Sequence, residues 1–400
     1  DLYIVSGGNS LVSSSTALSD RMILTVKNDD GSISFEDTNQ FLPINNSFES
    51  TSIVAPHDFT GDGILDLFVG TRLKPFKVGL PVNGYLLKGD GKGFFQDVTQ
   101  TWAPELNELG MITHAIWADV QGDEVPELII SGEYMPMTIF ARNTQSNGSY
   151  VYENITNEMG LTNTNGWWNR VLAEDIDKDG QIELIGLNHG LNSIFRASVD
   201  KPVTLWVGDF TQNGLIEHVL AINIDDKNIP VALKHKMEEH IPYIGQRFPT
   251  YASYAGKAVE EMFTSEELNR AVKLEAMIME SVIIDWDSDK MSNPSITPLA
   301  RWAQVSPMFG AIVSQFEEKK VLLLGGNHYK VKPQVGAYDA SVGTVIDLVS
   351  NTEWDQSGFE VFGEIREIMQ IDLYDSQKGE LTPILIVARH NDYPVVFSIN

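Results

Sequence analysis

The 400-residue chain contains no cysteine, which excludes disulfides and thiolate metal sites. It is also poor in bases: 28 Lys and Arg stand against 55 Asp and Glu, a formal charge of -27. A field of that sign repels phosphate backbones and anionic lipid surfaces, and argues against nucleic acid as a partner. No apolar run approaches the ~20 residues that a membrane-spanning helix needs. What apolar content there is, 42% of residues with 10% aromatic, suffices for a globular core. The opening residues hold no charged segment followed by an apolar one. They do repeat a later pattern: "DLYIVSGG" at 1 matches "DLFVG" at 66. The chain is therefore expected to begin inside a repeat, with any export signal or lipid anchor lying upstream.

That repeat is the most informative feature present. Aligned on their first Asp, "DFTGDGILD" at 58, "DVQGDEVPE" at 119, "DIDKDGQIE" at 175 and "DFTQNGLIE" at 209 all carry side-chain oxygen at positions 1, 3, 5 and 9. These are Asp58, Thr60, Asp62 and Asp66; Asp119, Gln121, Asp123 and Glu127; Asp175, Asp177, Asp179 and Glu183; and Asp209, Thr211, Asn213 and Glu217. A hard cation such as Ca2+ takes six to eight oxygens, and a loop can supply them from alternate side chains and the backbone carbonyl at position 7, with Gly at 6 allowing the sharp turn. Position 7 is Ile64, Val125, Gln181 and Leu215. Position 12 would be a bidentate Glu in an EF-hand, but here it is Val69, Ile130, Gly186 and Leu220, so these are not EF-hands. The loops at 58 and 175 keep the full pattern. Glu124 replaces the expected Gly in the second loop, and Asn213 leaves the fourth with two carboxylates. Asp- and Gly-rich hairpin turns without metal would share part of this composition.

The flanking segments read as short strands, so each loop joins the strands of a hairpin. "ITHAIWADV", "PELIISGEY", "MTIFARN" and "YVYENIT" between 112 and 156 make a four-stranded unit. The spacing of the loop starts at 58, 119 and 175 suits one such unit per repeat. Counting hairpins whose second strand starts near 1, 65, 126, 182, 216, 321 and 383 predicts an all-β, seven-bladed β-propeller over residues 1–400, its first blade lacking an inner strand. An open solenoid or two sandwiches is the alternative. Residues 232–276 break the pattern with helical spacing and a capping-box start at Thr264, predicting a helical insert within blade five.

The calcium-loop repeats resemble those of VCBS and FG-GAP propellers. The stretches "NGWWN", "NHGLNS", "RFPTYASYA", "FTSEEL", "SPMFG" and "GGNHYKVKPQVGAYDAS" further resemble the C-terminal propeller of large bacterial surface proteins of the UnbV and cartilage-acidic-protein group. The resemblance implies a Ca2+-stabilised lipoprotein on the outer-membrane surface of a Gram-negative, Bacteroidetes-like bacterium. It also implies partnership with an outer-membrane transporter of the TonB-dependent kind, and it brings no catalytic residues.

If the loops occupy one face of the disc, the far ends of the second strands meet on the other. That face is expected to hold Arg72, Glu133, Tyr134, Asn188, His189, His328, Tyr329, Arg389 and His390, with Trp167 and Trp168 beside them. Polar groups and aromatics converging on one axis make a site for a protein partner or a glycan. No HExxH, GxSxG or phosphate-loop pattern accompanies the histidines, so a non-catalytic binding scaffold is expected, with polysaccharide processing as the alternative.

Overall fold

The computed structural model describes residues 1–43, 48–146, 150–287, 291–316, 318–332, 335–354, 358–375 and 379–398. Seven antiparallel sheets carry the fold, which is all-β. The first sheet comprises Leu2–Ile4, Arg21–Lys27 and Ile33–Asp37; the second Ser50–His57, Asp66–Leu73, Gly84–Gly89 and Phe95–Asp97. The third comprises Met111–Ala118, Glu127–Met135, Thr138–Thr144 and Tyr150–Asn154, with Gly166–Trp167 added to its long strand. Arg170–Glu174, Glu183–Leu187, Val282–Asp285 and Ser295–Pro298 form the fourth. Met308–Phe316, Lys319–Gly326, Thr344–Asp347 and Thr352–Glu353 form the fifth, and Ile365–Asp375, Glu380–Arg389 and Val395–Ser398 the sixth. The four-stranded reading of 112–156 matches the third sheet.

Each second strand is a continuous apolar run because both its faces are buried, and its side chains alternate between neighbours. Leu67 and Val69 pack on Met22 of the first sheet, while Phe68 between them packs toward Ile112 and Phe140 of the third. Leu128 and Ile130 share that cluster, whereas Ile129 faces Val171 and Leu184 of the fourth sheet. Ile185 and Leu187 meet Leu322 and Leu324 of the fifth, whose Val321 and Leu323 meet Ile368 and Leu385 of the sixth. The six sheets thus stack in chain order. The innermost strands of sheets two to six lie beside their successors. Arg170 on the fourth sheet reaches Glu367 on the sixth at 2.7 Å, past the fifth, as strands arranged around a common axis allow.

The seventh sheet is not a further member of this series. Val203–Gly208, Glu217–Ile224, Lys227–Pro230 and Val272–Ala276 form a sheet inserted between the second and third strands of the fourth. The hairpin around 209–217, counted above as a blade of its own, belongs to this insert. Nothing in a hairpin's own sequence says which sheet it enters, since that depends on the third strand. Helices at Lys234–His240, Tyr243–Arg247, Tyr251–Tyr254, Val259–Met262 and Ser265–Asn269 join Lys227–Pro230 to Val272–Ala276. They bury Met237, Ile241, Ile244, Val259 and Met262 on Trp206 and Phe210. Thr264 caps the last helix, its hydroxyl accepting from the Glu267 N–H while the Glu267 carboxylate accepts from the Thr264 N–H. These helices lie in an insert of the fourth sheet. Val272–Ala276 lies beside Glu127–Met135, and the His218 ring bonds the Val78 carbonyl at 2.7 Å. Among the described residues no strand of the sixth sheet pairs with the first.

Candidate functional site

The acidic loops share one internal bonding scheme. The position-1 carboxylate accepts from backbone N–H groups further round its own turn: Asp58 from Gly61, Asp62 and Gly63, and Asp119 from Gly122, Asp123 and Glu124. Asp175 accepts from Lys178 and Gly180, and Asp209 from Asn213 and Gly214. Position 5 accepts from the position-7 N–H in all four loops, through Asp62, Asp123, Asp179 and Asn213. The position-9 acids Asp66, Glu127, Glu183 and Glu217 are buried and accept from N–H groups at the start of the loop. Position 2 is an apolar anchor in every copy: Phe59, Val120, Ile176 and Phe210 are buried. Each turn is thus tied by its own acids, and φ is positive at positions 4 and 6 throughout, including 67° at Glu124.

Ionic convergence differs between loops. Asp119, Asp123 and Glu127 bring carboxylate oxygens within 4.8 Å of one another, as do Asp175, Asp177 and Glu183. Burial, reinforced by the neighbouring Asp carboxylates, pushes Glu127 and Glu183 up to about 7 against the pull of their backbone N–H bonds. Two sets of crowded oxygen donors without His or Cys fit a hard divalent cation such as Ca2+, held by those six residues. The first loop, with its full pattern, is not among the converging sets found among the described residues; its Asp62 pairs with Lys88 at 2.9 Å. The second loop is among them despite Glu124. In the fourth loop, Thr211 Oγ1 donates to Glu217 Oε1 at 2.9 Å, and the loop stands outside the stacked series.

The opposite ends of the second strands border a cavity. This cavity, of about 470 Å³, is lined by side chains from five successive sheets: Arg72, Glu133 with Trp167, His189, Phe309 with His328, and Glu364 with Arg366 and His390. Arg72 grips Glu133 through two bonds, Nη2 to Oε1 at 2.7 Å and Nε to Oε2 at 3.1 Å. Glu364 is buried; its Oε1 accepts from the Tyr329 N–H at 2.6 Å and lies 3.3 Å from Arg366 Nη2 and 3.5 Å from His328 Nδ1. The Arg366 guanidinium lies over the Phe309 ring at 4.1 Å. His189 is only 9% exposed. Its Nε2 has no hydrogen-bond partner among the described residues, and rings of Trp167, Phe195 and Tyr338 meet it edge-on. Burial, helped by His328, drives it down to about 4, so it is neutral at physiological pH. Burial and the Arg366 charge also lower His328.

Other expected face residues do different work. Trp168 is fully buried between the third and fourth sheets, its Nε1 donating to the Thr164 carbonyl at 2.8 Å. Asn188 is also buried; its Oδ1 accepts from the Trp167 and His189 N–H groups and so sets their positions. Arg389 is tied to the Tyr393 and Phe362 carbonyls and to Asp392. Tyr134 packs edge-on against Trp167 at 5.5 Å, and Tyr329 contributes its backbone rather than its ring. The residues missed were Glu364, Arg366 and Lys330. The first two lie at the start of the innermost strand of the sixth sheet, in "GEIREIM".

Comparison with known proteins gives a limited frame. Residues 58–130 match the model of the FG-GAP-like repeat family, covering the first two loops and the four strands between them. No curated protein sequence matches the chain. Among solved structures, a levansucrase from Bacillus subtilis is similar at 9% identity with a TM-score of 0.30, covering 88% of this chain and 84% of that one.

Proposed function

We propose that the protein is a non-catalytic, Ca2+-stabilised binding module whose ligand seat is the five-sheet cavity, and that its ligand is a saccharide or the end of a glycan chain. One observation carries this reading: side chains from five separate sheets converge on a hollow whose volume lies in the range of small-molecule sites, with a few fixed polar groups beside Trp167 and Phe309. Aromatic edges and faces with directed hydrogen-bonding groups suit sugar rings. Binding is favoured over hydrolysis because both carboxylates are already engaged, Glu133 by Arg72 and Glu364 by Arg366 and the Tyr329 N–H. A glycoside hydrolase instead needs one carboxyl group able to protonate the leaving oxygen.

The same proposal takes the stacked sheets as a β-propeller. Exposed apolar side chains on both end sheets, Leu2 and Phe35 on the first and Leu373 and Leu381 on the sixth, support closure by one further sheet into a seven-bladed ring. Loops with three converging carboxylates suit the millimolar Ca2+ found outside cells, which supports a bacterial surface location. Exposed Leu233 and Tyr251 on the helical insert favour a second role, docking to an envelope protein. The test is calorimetric titration with a panel of neutral and acidic oligosaccharides, with product analysis alongside. Binding without turnover, lost in Trp167→Ala, is expected; a folded protein that binds no member of the panel refutes the reading.

A further inference from the structure

Resting on the saccharide reading, the cavity's charges narrow the ligand class. Three permanent cations, Arg72, Arg366 and Lys330, line it against two carboxylates, Glu133 and Glu364, in a chain whose overall charge is -27. A local excess of positive charge in so acidic a protein runs against its composition. The cations are also unequally satisfied. Arg72 spends two donors on Glu133, leaving the remaining donors of a five-donor fork. Among the described residues Arg366 pairs with one carboxylate, Glu364 at 3.3 Å, which it shares with His328 and the Tyr329 N–H. Lys330 is exposed and forms no ion pair among the described residues. Burial lowers Arg366 from its usual value; Glu364 opposes that shift, while the charge of Arg72 across the hollow adds to it.

An anion between them would relieve that repulsion and use the free donors, since planar guanidinium matches a carboxylate with two parallel bonds. We propose that the cavity takes a saccharide bearing a carboxylate, a uronic-acid type of sugar, with the acid group between Arg72 and Arg366 and within reach of Lys330. The sugar ring then lies toward Trp167 and Phe309. His189, neutral and enclosed by rings, forms the uncharged wall on that side. A histidine-bound transition metal fits less well, because the Arg366 cation lies 3.5 Å from His328 Nδ1 and 3.3 Å from Glu364 Oε1.

The experiment is titration of the folded protein, in calcium buffer, with a short oligogalacturonate and with its fully methyl-esterified counterpart. The free acid is expected to bind and the ester to bind at least tenfold more weakly, the scale of losing charge-assisted hydrogen bonds. Arg366→Ala should weaken the acid tenfold or more. Because Arg366 also packs on Phe309, Lys330→Ala serves as the variant that leaves folding untouched, with a severalfold loss expected for the acid and none for the ester. Equal binding of acid and ester overturns the acidic class while leaving saccharide binding in place. Failure of both to bind a folded protein removes the saccharide reading as well. Acid binding lost in Glu127→Gln/Glu183→Gln but kept in Lys330→Ala would place the acid on loop-bound Ca2+, and overturns the assignment to the cavity.

Discussion

The paired substitution Glu127→Gln/Glu183→Gln should stabilise the protein without Ca2+ and lose most of that advantage when Ca2+ is present. Both carboxyls titrate at about 7 in the folded protein against an ordinary 4.5. A folded-state pKa raised above the unfolded one means that the folded chain holds the proton more tightly. The stabilising contribution is full below about pH 4.5 and is lost as pH rises through 7. Each shift corresponds to about 3 kcal/mol, reduced by solvent screening to about 1–2. In chelator at pH 8 the double variant should therefore be more stable than wild type by about 2–4 kcal/mol. Gln keeps an acceptor for the Val120, Gln121 and Ile176 N–H groups while removing the charge. Over ~400 residues at ~2 cal/mol/K each, this is a rise in Tm of about 2–5 °C. In 2 mM Ca2+, sites of ~0.1–1 mM affinity stabilise wild type by about 0.7–1.8 kcal/mol each, and the variant should gain little. Calorimetric melts from pH 5 to 8, with EDTA or Ca2+, read both arms. Refutation is a Ca2+ shift of equal size in the variant, or a wild type that outlasts the variant at pH 8 in EDTA.

Three further outcomes follow from local geometry. Glu124→Gly should raise the urea midpoint by an equivalent of about 1 kcal/mol, because Glu124 holds φ at 67°, a region costly for side-chain-bearing residues; a lower midpoint would assign its side chain a stabilising role. Trp168→Ala should cost about 3–5 kcal/mol, since its fully buried ring fills the space between two sheets, whereas the half-buried Trp167→Ala should cost less and show mainly as lost ligand binding. Thr264→Ala should cost about 1 kcal/mol locally and speed amide exchange across Ser265–Asn269, while exchange in Glu127–Met135 stays unchanged.

The strands were legible because burial on both faces leaves an unbroken apolar run at every second strand, and "ELIISGEYM" needs no neighbour to be read that way. Sheet membership was not, because pairing is a relation between distant segments. The hairpin at 203–224 carries the repeat's oxygen register at positions 1, 3, 5 and 9, yet Val272–Ala276 returns to pair with Val203–Val207 and seals it as a separate sheet. The loops show the same limit. Scoring oxygens by position ranked the loop at 58 above that at 119, but Lys88, two strands along, takes Asp62. Meanwhile Glu124 accepts a strained backbone and leaves its loop's convergence intact. On the opposite face, register along the second strands found Arg72, Glu133, His189, His328 and His390. It could not tell the half-buried Trp167 from the buried Trp168, because a short, irregular strand end does not reveal which of two adjacent rings turns inward.

The two faces are ends of the same strands. Asp66 and Arg72 bracket one strand and Glu127 and Glu133 another, so a buried loop acid and a cavity charge are separated by six residues, about 20 Å of extended chain. Direct coupling across that distance is screened, since the Debye length at physiological salt is ~8 Å. The acidic body and the cationic cavity therefore act on an acidic ligand at different ranges. At low salt the field of -27 charges reaches far and repels the approaching anion. The guanidinium groups act only at contact. Raising NaCl from 10 to 150 mM should then speed association severalfold by screening the long-range repulsion, while dissociation also quickens as the contact pairs weaken. Stopped-flow binding of the oligogalacturonate reads the two rates separately. An association rate that falls over this range would mean that the cavity's own field dominates the approach, and would refute the division between a repelling body and a contact-range seat.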